Sequence, residues 1–371
     1  MTSNVTVGGL EKVSGVSPVT LSEDWSRVAR LLVIVCLAVI GSVGNVYMIS
    51  AIMIEDHLKK RGNTFMANVA LADLLVTGVV MPASAVVILA GIKDSPLSAV
   101  CSLQWCLSIV CWLVTILSLL ATAGENYARL CLSPHCYASL TQGRITLLML
   151  AIWAVSGVMV ALQFHLDLVP DYCSTKSTSI LPYQATAAVL CLVLPGLVTL
   201  ALYLRIILQV RLARANPSFK PPIAFNWDYS LMKTNLYSFF LFFLFWLPFG
   251  IVLCLASRKK TSALVFYNLA WLALGKSCVN NILYCVCNRH FRNAYINLFH
   301  YCCCKTTVTF SRRSRAEAVR PTGDVRVHII PGYNMYSYTS PQRAGREASK
   351  SPGKRSNAGR TRPNCRDVYE L

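Results

Sequence analysis

Apolar residues along this chain gather into long runs separated by short polar stretches. A helix rises 1.5 Å per residue, so about 20 apolar residues are needed to cross roughly 30 Å of hydrocarbon. Seven segments qualify: residues 28–54, 64–91, 98–131, 142–165, 182–211, 230–257 and 262–286, here spans one to seven. Spans three and seven are the least uniformly apolar, with polar residues suited to an interior face. The predicted fold class is an all-α membrane protein, a seven-transmembrane helix bundle. After span seven, Phe291, Tyr295, Leu298 and Phe299 fall at helical spacing among polar Arg289, Arg292 and Asn293. This predicts a cytoplasmic amphipathic eighth helix lying on the inner leaflet. The expected division is an extracellular N-terminus over 1–27, the bundle over 28–287, the amphipathic helix and a cysteine cluster over 288–304, and a disordered cytoplasmic tail over 305–371.

Composition agrees with lipid burial. Hydrophobic residues make up 55% of the 371 and charged residues 14%, against about 25% charged in an ordinary soluble domain. The net charge of +19 could suggest nucleic acid, but 16 of the 35 Lys and Arg follow Asn288, in the polar tail. With them go Lys59, Lys60, Arg61, Arg129, Arg144, Arg205, Arg211, Arg214, Lys220 and Lys233 on one side of the membrane. The other side holds only Lys12, Arg27, Arg30, Lys93, Lys176, Arg258, Lys259 and Lys260. Basic residues concentrate on the cytoplasmic side, so the N-terminus is read as extracellular. Asn4-Val5-Thr6 is a glycosylation sequon on that face. The first 27 residues lack the apolar core of a cleavable signal, so span one is expected to act as the targeting signal.

Ionisable residues within a span are expensive and mark functional positions. Asp73 in span two and Lys276 in span seven are each the natural partner of the other; the alternative is that Lys276 lines a water-filled cavity unpaired. Asn45, Asn280 and Asn281 are candidates to complete a polar cluster around them. Pro82, Pro195 and Pro248 interrupt spans two, five and six, and Trp246 stands just before the last. It is either a moving part at a bend or a lipid-facing packing residue. Cys101 and Cys173 both fall on the oxidising face, where a disulfide is expected. Cys302, Cys303 and Cys304 follow the amphipathic helix and suit palmitoylation, a chance cluster being the alternative. Most other cysteines sit in apolar runs as small hydrophobes (Cys36, Cys106, Cys111, Cys191, Cys254), without metal-ligand spacing. No enzyme signature, phosphate-cradling loop or cofactor motif stands out.

In this order the residues resemble a class A (rhodopsin-like) G-protein-coupled receptor over about residues 28–304. The landmarks are Gly44-Asn45, Leu71-Ala-Asp73, Cys101, Trp153, Cys173, Pro195, Tyr203, Trp246-Leu-Pro248, Tyr284 and Phe291. Span seven, from Lys276 to Tyr284, is most similar to the melatonin-receptor group, which also lacks proline there. The resemblance implies a plasma-membrane receptor in which Phe242, Trp246 and Pro248 move span six outward to admit a heterotrimeric G protein.

Departures from the family pattern are concentrated at the inner side. Where the family has Asp/Glu-Arg-Tyr, this chain has Glu125-Asn126-Tyr127. Arg129 is four residues after Glu125 and can pair with it on one helix face. Asn281 replaces a proline. The family's span-two aspartate commonly binds sodium, and the resemblance puts Lys276 close to that place, as a built-in cation. The retinal-binding lysine of opsins would fall at Leu274. The aspartate that anchors amine ligands would fall at Ser108. Residues implied to face an outer cavity are Ser108, Ile109, Trp112, Tyr183, Ala187, Trp246, Phe249, Phe266, Tyr267 and Trp271, an aromatic lining for a small hydrophobic ligand.

The tail ends Asp367-Val-Tyr369-Glu-Leu371, similar to a PDZ-domain ligand, and its Ser and Thr suit phosphorylation and arrestin-like partners. Two further readings stay open: a receptor-shaped binding or scaffolding protein with weak or no coupling, which Asn126 favours, and a transporter using Asp73 and Lys276. The chain shows no internal repeat of the transporter kind.

Overall fold

The computed structural model describes residues 24–55, 58–59, 62–90, 96–166, 186–256 and 263–304. Seven helices within them are long and apolar enough to cross a membrane. Span one is Asp24–Ile54, and span two is built from Asn63–Leu75, a π-helical turn Val76–Val80, and Met81–Ala90. Span three is Pro96–Cys131 and span four Gln142–His165. Span five covers Thr186–Ala215 and includes a second π-helical turn, Val189–Val193. Span six is Ile223–Ala256 and span seven Ala263–Cys287. An eighth helix, Arg289–Cys304, follows.

Local chemistry explains the breaks. Ser133 Oγ accepts from the Cys136 amide to open the short helix Pro134–Ala138, and Thr141 Oγ1 does the same from Arg144 at the start of span four. Asn288 ends span seven and caps the next helix, its Oδ1 accepting from the His290 and Phe291 amides. Such side-chain acceptors satisfy donors that have no partner within the helix.

The prolines act in two ways. A helical proline leaves the carbonyl four residues earlier without its donor. For Pro82 and Pro195 those carbonyls belong to Gly78 and Cys191, the middle residues of the two π turns. There the helix takes up the lost bond by widening one turn. Around Pro248 the helix of span six continues as an α-helix.

Span three is the central strut and packs against spans two, four, five and six. Asn68 donates to Ser118 Oγ (2.9 Å) and accepts from Trp153 Nε1 (2.8 Å), tying spans two, three and four. Outward faces carry exposed Leu147, Leu150, Leu197, Leu208, Leu212 and Leu244, a surface suited to lipid rather than water. On the eighth helix Phe291, Ala294 and Leu298 pack onto Met48, Ile52 and Tyr284, while Arg289 and Arg292 are exposed.

Span six begins seven residues before the expected 230, which brings Asp228 into the helix. About 20 residues suffice to cross the hydrocarbon, and this helix, with 34, is several turns longer. Asn4, Cys173, Tyr183 and the tail with its Asp367–Leu371 terminus lie outside the described residues, as do the side chains of Cys101, Phe266, Tyr267, Cys303 and Cys304.

Candidate functional site

The polar centre of the bundle is an ion pair. Lys276 Nζ lies 3.0 and 2.9 Å from the two Asp73 carboxylate oxygens, and both side chains are almost completely buried. The expected pairing is therefore present, and Lys276 does not stand unpaired. Ser277, which sequence reasoning did not select, donates from Oγ to Asp73 Oδ1 at 2.8 Å. Asn45 Nδ2 donates to the Ser277 carbonyl at 3.0 Å and so joins the centre through its neighbour.

The other two asparagines turn elsewhere, which corrects the expected cluster. Asn280 accepts from Ser238 of span six at 2.6 Å. Asn281 is pressed onto span one, where a methyl group at Gly44 would run into its amide. These asparagines lie within hydrogen-bond or packing reach of spans six and one, and Lys276 with Ser277 already occupies the carboxylate. For the same reason the residues do not fit a bound sodium ion: the lysine ammonium holds both oxygens that such an ion would need.

A second polar group closes the end of the bundle where span three finishes. Arg129 Nη2 lies 3.4 Å from Glu125 Oε2, one helical turn earlier, and donates to Asn126 Oδ1 at 2.7 Å. Its Nη1 reaches Asp228 Oδ1 of span six at 3.6 Å. Tyr137, on the short helix after span three, donates to Glu125 Oε1 at 2.9 Å. Asn126 is fully buried, and Tyr127 is half-buried in the cluster around Tyr203, Ile206 and Phe239. Tyr203 itself is buried with its ring 6.2 Å from Phe239. Tyr284 donates to Asn235 at 3.0 Å, linking span seven to span six.

At the opposite end lies a narrow cavity lined by Val80, Ser84, Gln104, Trp105, Ser108, Ile109, Trp246, Phe249, Ala270 and Leu274. Four of these, Ser108, Ile109, Trp246 and Phe249, were expected. Trp246 is buried rather than lipid-facing: Trp112, Phe242 and Phe249 surround it at ring distances of 6.0, 6.3 and 6.3 Å. Trp112 thus backs the wall without forming it. Ala187 is half-buried and away from this lining, and Trp271 packs toward the cluster around Ile34, Val76 and Met81. Gln104, Trp105, Ser84 and Leu274 were not selected from sequence as ligand contacts.

The described residues thus form a seven-helix bundle with a central ion pair, a bridged end and a cavity toward the other end. The family model described as "7 transmembrane receptor (rhodopsin family)" matches residues 44–284. The chain belongs to the rhodopsin family of seven-transmembrane receptors.

Relatives of this receptor are distant and diverse. It is 28% identical over 296 residues to the adenosine receptor A3 of Ovis aries, covering 75% of this chain and 92% of that protein. It is 25% identical over 344 residues to the alpha-1D adrenergic receptor of Rattus norvegicus, covering 78% and 60%. A melatonin receptor type 1B-B of Danio rerio is 25% identical over 315 residues, covering 81% and 88%. The protein is a multi-pass membrane receptor of a signalling family, and not an enzyme. Leu274, at the place of the opsin lysine, forms apolar cavity wall. Arg129, one turn beyond Glu125, is the cation that touches both Glu125 and Asp228.

Proposed function

We propose that this receptor sits in the plasma membrane with its N-terminus outside, binds a small, largely hydrophobic ligand in the cavity beside Trp246, and couples to heterotrimeric G proteins by separating the inner ends of spans three and six. The carrying observation is the contact of Arg129 with both Glu125 and Asp228. It supplies a cation at the junction where the family pattern has lost one. Relatives named for adenosine and for melatonin support a small-molecule ligand, and the aromatic wall supports a hydrophobic one.

Ligand contact with Trp246 would be passed to Phe242, stacked 6.3 Å away, and along the helix of span six that contains Pro248. Only a shift between two pre-existing arrangements is required. In this reading Cys101 and Cys173 form a disulfide over the cavity mouth, Asn4 is glycosylated, and Cys302, Cys303 and Cys304 carry palmitate. The phosphorylated tail recruits arrestin-like proteins, and Leu371 ends a PDZ ligand.

A second reading, a receptor-shaped binding or scaffolding protein with weak or no coupling, draws on the burial of Asn126 with its Nδ2 unpartnered among the described residues. Substituting Asn126→Arg and screening activation across the G-protein families separates the two. Comparable activation by wild type and variant supports coupling through Arg129. A silent wild type with a strongly active variant supports the second reading.

A further inference from the structure

The cavity wall contains one polar side chain with unmet hydrogen bonds. Gln104 is 4% exposed, and neither Nε2 nor Oε1 has a hydrogen-bond partner among the described residues. Gln104 is one of the residues lining the cavity, beside Trp105, Ser108 and Phe249. A buried primary amide left without donor and acceptor is costly, and native interiors rarely keep one without a use.

The two wall serines are already committed as donors. Ser108 Oγ donates to the Gln104 main-chain carbonyl at 2.7 Å, and Ser84 Oγ donates to the Val80 carbonyl at 2.8 Å. Both hydroxyl oxygens keep only acceptor capacity toward the cavity. Among the described residues no ionisable side chain lines it, so a charged ligand would be stripped of water with no counter-charge from them.

We infer that Gln104 is the ligand's polar anchor, and that the ligand is a flat, neutral, mainly apolar molecule with an amide-type edge, an N–H donor beside a carbonyl acceptor. A primary amide is self-complementary to such an edge. It pairs by two parallel hydrogen bonds and can turn over to meet either order of donor and acceptor. The apolar remainder lies against Trp105, Ile109, Trp246 and Phe249. The serine oxygens can take a further donor from the ligand. This specifies the ligand's chemistry and rests on the reading that the cavity beside Trp246 is the ligand site.

The test uses the purified full-length receptor in lipid nanodiscs and four probes sharing one ring system: naphthamide, acetylnaphthalene, naphthoate and naphthylmethylamine. Ligand-observed NMR reads their dissociation constants. Naphthamide is expected to bind roughly tenfold more tightly than acetylnaphthalene, the worth of the added donor in a buried pair, and both charged probes more weakly still. Gln104→Leu should weaken both probes and erase the difference between them, naphthamide losing more than acetylnaphthalene. Ile109→Trp, which fills the cavity, should abolish binding of all four.

Equal binding of naphthamide and acetylnaphthalene by the wild type overturns the Gln104 assignment, and that comparison stands whether or not the Gln104 variant folds. Loss of all probes on filling the cavity would then still leave it a ligand site. Binding that survives Ile109→Trp, or no binding of any probe to the wild type, overturns the cavity reading and the anchor together.

Discussion

Arg129 Nη1 stands 3.6 Å from Asp228 Oδ1, a link between the end of span three and the first turns of span six. The distance is long for an ion pair, and the Asp228 side chain is 16% exposed. Such a pair contributes about 1 kcal/mol or less. That is enough to bias a two-state equilibrium several-fold without locking it. Glu125 holds the same arginine from within span three, so in the proposed opening the cation would stay in place as span six moves away.

The buried pair behaves differently. Removing one member of a buried ion pair typically costs about 3–5 kcal/mol, whereas replacing both with apolar residues is often neutral. Lys276→Met should therefore strand the Asp73 carboxylate and lower the thermal midpoint of the purified receptor strongly. The double variant Asp73→Leu with Lys276→Met should recover most of that loss. A double variant as unstable as the single one would show that the pair is not the source of the effect.

Because the lysine ammonium holds both Asp73 oxygens, sodium should have no specific effect on the wild type. Thermal stability in sodium chloride should match that in potassium chloride at equal ionic strength. Lys276→Asn frees the carboxylate and should introduce a sodium-specific stabilisation together with a change in basal signalling. If Lys276→Asn leaves both sodium dependence and basal signalling as they are in wild type, the built-in cation has no such role.

Cys302 is exposed on the last turn of the eighth helix. One acyl chain alone anchors only marginally and reversibly, so replacing Cys302, Cys303 and Cys304 together by serine should remove hydroxylamine-sensitive acylation completely. Acyl capture from cell membranes reads this directly. Acylation at the wild-type level in the triple variant would place the lipid elsewhere or nowhere on this helix.

The seven spans and the Asp73–Lys276 pair were legible because lipid makes both long apolar runs and intramembrane charges conspicuous. Asp228 was not, since span six was read only as far as the hydrocarbon extends and the residue fell into a loop. A helical pattern continued through Trp227 and Tyr229, both aromatic, was the available signal. Gln104 was missed for another reason. A single glutamine near the end of a span reads as an interface residue, and nothing in sequence shows that both its amide atoms are buried without partners. The prolines announced lost hydrogen bonds but not their remedy, which is a π turn before Pro82 and Pro195 and an uninterrupted α-helix around Pro248. Asn280 lies one turn along the face of Lys276, where it meets span six, and a further rotation of about 100° turns Asn281 toward span one.

The most direct test of the inner closure is basal G-protein activation, screened across the G-protein families, for wild type beside Asp228→Asn at matched surface expression. The substitution removes the charge facing Arg129 while leaving Glu125 to hold it. The predicted result is a several-fold rise in basal activation with at least one G-protein family. Basal activation unchanged from wild type with every family, in a variant that reaches the surface normally, would contradict the role given to Arg129 and Asp228.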